Sequence, residues 1–113
     1  EVEKKPEITI DDFDKVQIQV GEVIKCEPVP KAKKLLVSQI KIGAETRQIV
    51  SGIAKYYKPE EMVGKKVAVI TNLKPCKLCG VESQGMILAA GDDEGNLSVV
   101  TVDKDIVSGS EIC

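Results

Sequence analysis

The residues of this chain whose type and spacing suit chemistry are mostly lysines. Lys31, Lys33 and Lys34 crowd one short stretch, Lys55 and Lys58 a second, and Lys74 and Lys77 a third. Ammonium groups set this close attract phosphate oxygens, strongly and in a salt-dependent way. Lysines also solvate ordinary strand faces and loops, so their spacing permits an anionic partner without requiring one. Beside the third cluster stand Asn72 and, a little further on, Ser83, Gln84, Gly85 and Met86. Gly85 lets a backbone approach closely, Ser83 and Gln84 offer hydrogen bonds, and Met86 presents a soft, polarizable surface. A plainer role suits them too, with Met86 filling the core and Ser83 capping a strand end.

Catalysis has little to work with. The chain has no His, no Gly-rich phosphate loop and no nucleophile elbow. Its paired acids (Asp11-Asp12, Glu60-Glu61, Asp92-Asp93-Glu94) fall where a helix cap or an exposed turn would use them. Cys76 and Cys79 form one C-x-x-C pair, with Cys26 and Cys113 as distant singles. A tetrahedral zinc site needs four N or S ligands, and one pair with two remote singles is a poor supply. A redox pair would sit at a helix start, whereas these lie within a loop pinned by Pro75 and Gly80. Inert thiols, and neither metal nor cofactor, are the expectation.

Overall composition gives a charge of -2, which on its face disfavours nucleic acid. Mapping it along the chain changes that picture. Residues 1–24 carry three Lys against seven acids, residues 25–77 carry twelve Lys or Arg against four, and residues 78–113 carry one Lys against seven. The balances are -4, +8 and -6, so a middle segment can focus a positive field within a mildly acidic chain. At 113 residues the chain has the length of one domain with its own core. No apolar run approaches the ~20 residues of a membrane helix. Sparse, uneven cysteines suit a reducing cytoplasm. Residues 1–7 read as a charged linker, and the start at Glu1 as that of a piece of a longer protein or a processed product.

The elements that must position these groups follow from periodicity. Residues 9–15 suit one helical turn capped by Thr9 or Asp11. Residues 16–26 alternate with period two, and Gly21 inside them suggests a bulge or bend. Pro28 and Pro30 should interrupt pairing. Residues 35–42 and 46–50 read as a hairpin, residues 59–63 as a short helix stopped by Gly64, residues 66–72 as a fourth strand and residues 83–90 as a fifth. Residues 73–82 read as a loop. Five strands with one short helix between the third and fourth match the order of an all-β OB-fold barrel. Apolar Ile8, Ile10 and Phe13 precede it, and Leu97, Val99, Val100, Val102, Ile106 and Ile112 follow it. These extensions, the second covering about residues 92–113, exceed what a bare barrel needs.

Several stretches resemble the C-terminal tRNA-binding and dimerisation domain of methionyl-tRNA synthetases. They are ITIDDF at 8–13, PVPKA at 28–32, KLL at 34–36, RQIVSGIAKYY at 47–57, NLKP at 72–75, and SQGM at 83–86. They run through nearly the whole chain in the family's order. Departures are Gln17 and Gln19, where the family often has an acidic and then a basic residue, and Cys76 and Cys79, where it commonly has others. The resemblance implies a non-catalytic domain at residues 8–113 that binds tRNA by shape, with little sequence preference. It also implies a homodimer and a catalytic synthetase part acting in cis or in trans. With the resemblance in hand, Lys31, Lys33, Lys34, Lys55, Asn72, Lys74, Lys77, Ser83, Gln84 and Met86 are the expected tRNA contacts. Only Phe13, Tyr56 and Tyr57 are aromatic, too few for base stacking along a single strand, at ~1–3 kcal/mol per base. Folded RNA read through backbone, 2′-hydroxyls and shape fits better. The alternative is a stand-alone tRNA-binding, chaperone-like or signalling protein on the same barrel.

Overall fold

The computed structural model describes residues 2–113; Glu1, the first residue of the expected linker, lies outside them. Residues 2–9 carry no regular secondary structure, and α1 (Ile10–Phe13) follows. Thr9 caps α1 as its residue type suggests: its hydroxyl accepts from the Asp12 N–H, and the Asp12 carboxylate accepts from the Thr9 N–H.

The elements that follow are β1 (Ile18–Val29), β2 (Ala32–Ile42), β3 (Glu45–Ser51), the short helix α2 (Pro59–Met62), β4 (Lys66–Ile70), β5 (Cys76–Leu78), β6 (Val81–Ser83), β7 (Met86–Ile87), β8 (Ala89–Gly91), β9 (Leu97–Val99) and β10 (Glu111–Ile112), with β5–β6 and β8–β9 as separate two-stranded sheets. The main sheet runs in the order β3-β2-β1-β4-β7, all antiparallel, with β10 added to the start of β1. A long first strand that pairs with β4 early and with β2 late, and a helix between the third and fourth strands, make the expected OB-fold. Gly64 leaves α2 at φ +93°, the stop its position implied.

Inward positions alternate with outward ones along β2, where Leu36 and Ile40 are fully buried, and Ile49 of β3 is fully buried beside them. Each contributes roughly 1.5–3 kcal/mol by leaving water. Val23, Met62, Val67 and Val69 complete the centre of the core.

Five expectations need correction. Gly21 is not a bulge: it pairs in register with Val67, and the irregularity falls at Ile24, between Val23 and Lys25. Glycine is needed there for space, because a Cβ would lie 2.5 Å from Ile40 Cγ2. Pro28 does not end pairing either. Strand β1 continues to Val29, and Pro28 faces Leu36 beside a second register shift, where a missing N–H costs the ladder little. Residues 76–83 form a hairpin rather than an open loop, turning on Cys79 at φ +50° and Gly80 at φ +80°. The fifth strand is broken into β6, β7 and β8, since Gly85 crowds so close to β4 that a Cβ would sit 2.9 Å from the Ile70 carbonyl oxygen. Finally, the trailing segment is partly barrel: Val99 is buried, Leu97 packs against the core, and Thr101 bridges to Val67.

Candidate nucleic-acid interface

An OB barrel closes where its third strand meets its fifth, and here side chains do much of the closing. The Gln84 N–H donates to the Gln48 carbonyl at 2.8 Å, and the Gln48 N–H donates back to Gln84 Oε1 at 3.0 Å. Gln48 Nε2 reaches the Glu82 carbonyl at 2.9 Å. The Val50 N–H donates to Ser83 Oγ at 2.9 Å, and that hydroxyl donates in turn to the Gly85 carbonyl at 3.1 Å. Arg47 braces the same seam: its guanidinium donates to the Thr71 and Gln84 carbonyls and, through Nε, to Glu45 at 2.7 Å. Without these bonds the edge of β3 would carry unpaired amides.

This changes the standing of three expected contacts. Ser83 is 3% exposed with its hydroxyl engaged in both directions, so it serves the seam and not a ligand's ribose. Gln84 spends its side-chain oxygen on β3. Asn72 is exposed, yet its carboxamide accepts from the Gln17 N–H at 2.8 Å and donates to the Lys15 carbonyl at 2.6 Å, tying the entry of β1 to the exit of β4. Gln17 and Gln19 have structural partners as well. The Thr71 hydroxyl donates to Gln19 Oε1 at 2.7 Å, with Gln17 Oε1 at 3.2 Å from the same oxygen, and Gln19 Nε2 donates to the Gly109 carbonyl at 2.9 Å, fastening the C-terminal segment.

Beside the seam opens a groove of about 410 Å³. Val50, Ile53, Leu73, Leu78 and Leu97 wall it, Met86 stands half-exposed on its edge, and Lys74 and Cys76 reach its rim. Lys74 lines the groove, and a backbone bond links another lysine segment to its Ile53 side. The Ala54 N–H donates to the Lys34 carbonyl at 3.2 Å, which brings the start of β2, with Lys33 and Lys34, against the segment carrying Lys55. Lys31 occupies the tight link between β1 and β2. On the other side Lys77 faces Glu82 across the β5–β6 hairpin, one pair beyond Cys76 and Ser83. Lys31, Lys33, Lys34, Lys55, Lys74 and Lys77 are all exposed. Lys58 instead starts α2, its N–H donating to Glu61.

Sequence reasoning missed Arg47, Gln48 and Ser51. All three belong to the stretch at 47–57, but nothing in the spacing of Arg47 and Gln48 marks a barrel seam. Ser51 borders the groove, but its hydroxyl oxygen is closed to water and has no protein hydrogen-bond partner, the one such atom among the described residues. Burial pushes the Cys26 thiol above its ordinary range, and the Ser38 hydroxyl donates to its sulfur at 3.4 Å. Cys76, Cys79 and Cys113 are exposed and unbridged. Among the described residues no cluster of three or more His, Cys, Asp or Glu could hold a metal ion, and no helix is long and apolar enough to cross a membrane.

The barrel carries an apolar groove lined in part by Lys74, with further exposed lysines on neighbouring segments. Comparison with known proteins defines the class. Residues 18–111 match the tRNA binding domain family model, and the chain belongs to that family. It is 61% identical over 110 residues to methionine–tRNA ligase of Methanocaldococcus jannaschii, covering 97% of this chain and 17% of the ligase. The chain therefore spans about a sixth of the length of such relatives, and corresponds to their tRNA-binding part. A MetRS-related protein of Pyrococcus horikoshii superposes with a TM-score of 0.91 at 38% identity, over 96% of this chain and all of the other. The chaperone CsaA of Bacillus anthracis shares the fold, with a TM-score of 0.86 at 21% identity over 96% of this chain and all of that one.

Proposed function

We propose that this domain is the tRNA-holding module of a methionine–tRNA ligase, joined to its catalytic part in cis or in trans, and that it performs no chemistry itself. The observation that carries the reading is the match of residues 18–111 to the tRNA binding domain family, and exposed lysines from three separate segments support it. Lys31, Lys33, Lys34 and Lys55 on one side and Lys74 and Lys77 on the other would meet phosphates across an RNA surface. Met86 would touch the RNA between them. The side chains of Asn72, Ser83 and Gln84 shape that surface from behind. Few base-edge groups point outward, so recognition rests on backbone and shape.

Exposed Ile8, Ile10, Phe13, Ile106 and Val107 support a homodimer built through both extensions, since apolar surface of this kind commonly marks an interface. Two copies would present two sets of lysines to one large RNA and gain avidity where geometry lets both engage. A reducing cytoplasm, where tRNA is used, is the compartment this reading implies.

The test is binding of transcribed tRNAs to the 113-residue chain, with a DNA duplex as control. Initiator, elongator and non-methionine tRNAs should bind within about tenfold of one another, in a salt-dependent way and ahead of the duplex. Equal binding of the duplex, or no binding of tRNA at low salt, would leave a chaperone-like role on the same fold as the better reading.

A further inference from the structure

We infer that the exposed Tyr56 ring is a stacking platform for one unpaired base of the bound RNA, set among lysines of two adjoining segments. The inference rests on the tRNA reading above and names a contact beyond its phosphates.

The two neighbouring tyrosines of the chain are used differently. Tyr57 packs against the core, and its hydroxyl accepts from the Val99 N–H at 3.1 Å. Tyr56 is 40% exposed, and its hydroxyl bonds to none of the described residues. The barrel's own bonds therefore account for the second ring and leave the first open.

The turn that carries Tyr56 is firmly held. The Tyr56 and Tyr57 N–H groups both donate to the Ile53 carbonyl, at 2.9 and 3.0 Å, and Ile53 is buried in the core. The Ala54 N–H donates to the Lys34 carbonyl at 3.2 Å, which sets the turn against the start of β2. A ring presented this way has little backbone freedom left to lose on binding.

Charge decides the occupant. Residues 28–36 and 52–58, which that bond joins, hold Lys31, Lys33, Lys34, Lys55 and Lys58, all exposed, and no acidic residue. Lys55 Nζ lies 6.0 Å from the centroid of the Tyr56 ring. An aromatic surface among cations fits a ligand that is flat and apolar on its faces and anionic on either side: a base between two phosphates. An apolar protein surface would leave those ammonium groups unpaired, and an acidic peptide would use the lysines and leave the ring idle. Every base has a π-face, so one stacking contact adds affinity without reading sequence. It asks for a base already out of its stack, as loops and bulges provide. A fully paired RNA has none to offer.

The test uses the 113-residue chain with ring-labelled tyrosine, which gives signals for Tyr56 and Tyr57 alone. Titration with a folded tRNA transcript should move the Tyr56 ring protons upfield, through the ring current of the stacked base, and leave Tyr57 in place. Tyr56→Ala should weaken tRNA binding roughly five- to hundredfold, the value of one base–aromatic stack, at an unchanged salt slope because no charge is lost. Tyr56→Phe keeps the ring and should bind within about twofold of the unaltered chain. Binding of a fully paired RNA duplex should be the same with Tyr56→Ala as without it. Both variants should melt close to the unaltered chain, as surface substitutions do. Should Tyr56→Ala melt far lower, the ring-proton shift in the unaltered chain decides alone. The inference is overturned if Tyr56→Ala binds tRNA like the unaltered chain, if Tyr56→Phe loses as much as Tyr56→Ala, or if duplex binding falls equally. It is also overturned if the Tyr56 signal stays in place while tRNA binds with its normal salt dependence. Failure of tRNA to bind the unaltered chain at low salt would overturn the parent reading, and this one with it.

Discussion

Ser83→Ala separates a seam residue from a contact residue. In the fold its hydroxyl accepts from the Val50 N–H at 2.9 Å and donates to the Gly85 carbonyl at 3.1 Å, with the residue 3% exposed. Alanine leaves an amide and a carbonyl without that partner, and each orphaned buried group costs roughly 1–3 kcal/mol. Some relaxation of β6 toward β3 will recover part of this, so a loss of about 2–4 kcal/mol is expected. Total stability of a domain this size is roughly 5–15 kcal/mol, so the change is large but leaves a folded protein at 25 °C. At roughly 4–5 °C per kcal/mol, the melting temperature should fall by roughly 10–20 °C. Circular dichroism or calorimetry reads this directly. Below the transition, the variant should bind tRNA with the salt slope of the unaltered chain, because its lysines are untouched. An unchanged melting temperature together with lost tRNA affinity would refute the reasoning and return Ser83 to the binding surface.

Gly21→Ala should destabilise by roughly 1–3 kcal/mol, since the new methyl lies 2.5 Å from Ile40 Cγ2 and 3.1 Å from Val69 Cγ2; urea denaturation should show a lower midpoint at unchanged slope. Cys26 should resist thiol reagents that modify exposed Cys76, Cys79 and Cys113, as mass mapping would reveal. Because burial raises the Cys26 pKa, the native state holds its proton more tightly than the unfolded chain does. Its contribution is complete below the unfolded value of about 8.5 and declines as pH rises toward the folded one, a loss that Cys26→Ala should remove. Ile10→Glu with Val107→Glu, both at exposed apolar positions, should convert a dimer to a monomer by sedimentation equilibrium. A monomer mass for the unaltered chain at high micromolar concentration would reject the dimer. Truncation at residue 92 is a poorer test, because it removes buried Val99 along with the surface.

The barrel was legible because its strands and short helix each carry a local signal. Period two in residues 18–23 and 36–42, a glycine turn at Gly43, and Pro59 with Gly64 around α2 all speak within a few residues of themselves. What the sequence hid depends on distant partners. Gly21 looks like a bulge until Ile40, from another strand, is seen to occupy its missing side chain. Residues 73–82 look like a loop because Cys79 is an unusual residue at positive φ, so its two-residue turn carries no Asn-Gly or Asp-Gly mark. The lysines could be found from clustering alone, since phosphate contacts need charge at a surface and little else. Ser83, Gln84 and Asn72 could not be sorted, because a hydroxyl or carboxamide bound to a barrel edge has the same sequence as one offered to RNA. Only their bonds to Val50, Gln48 and Gln17 assign them.

The most direct test of the account is a salt titration of tRNA binding for the unaltered chain and for the combined variant Lys33→Ala, Lys34→Ala, Lys74→Ala. Each phosphate neutralised contributes roughly 0.7–0.9 to the slope of log affinity against log salt, so removing three lysines should flatten it by about 2–3. Affinity at low salt should fall steeply for every tRNA alike. The same slope and the same affinity in the triple variant would contradict the claim that these lysines hold the RNA.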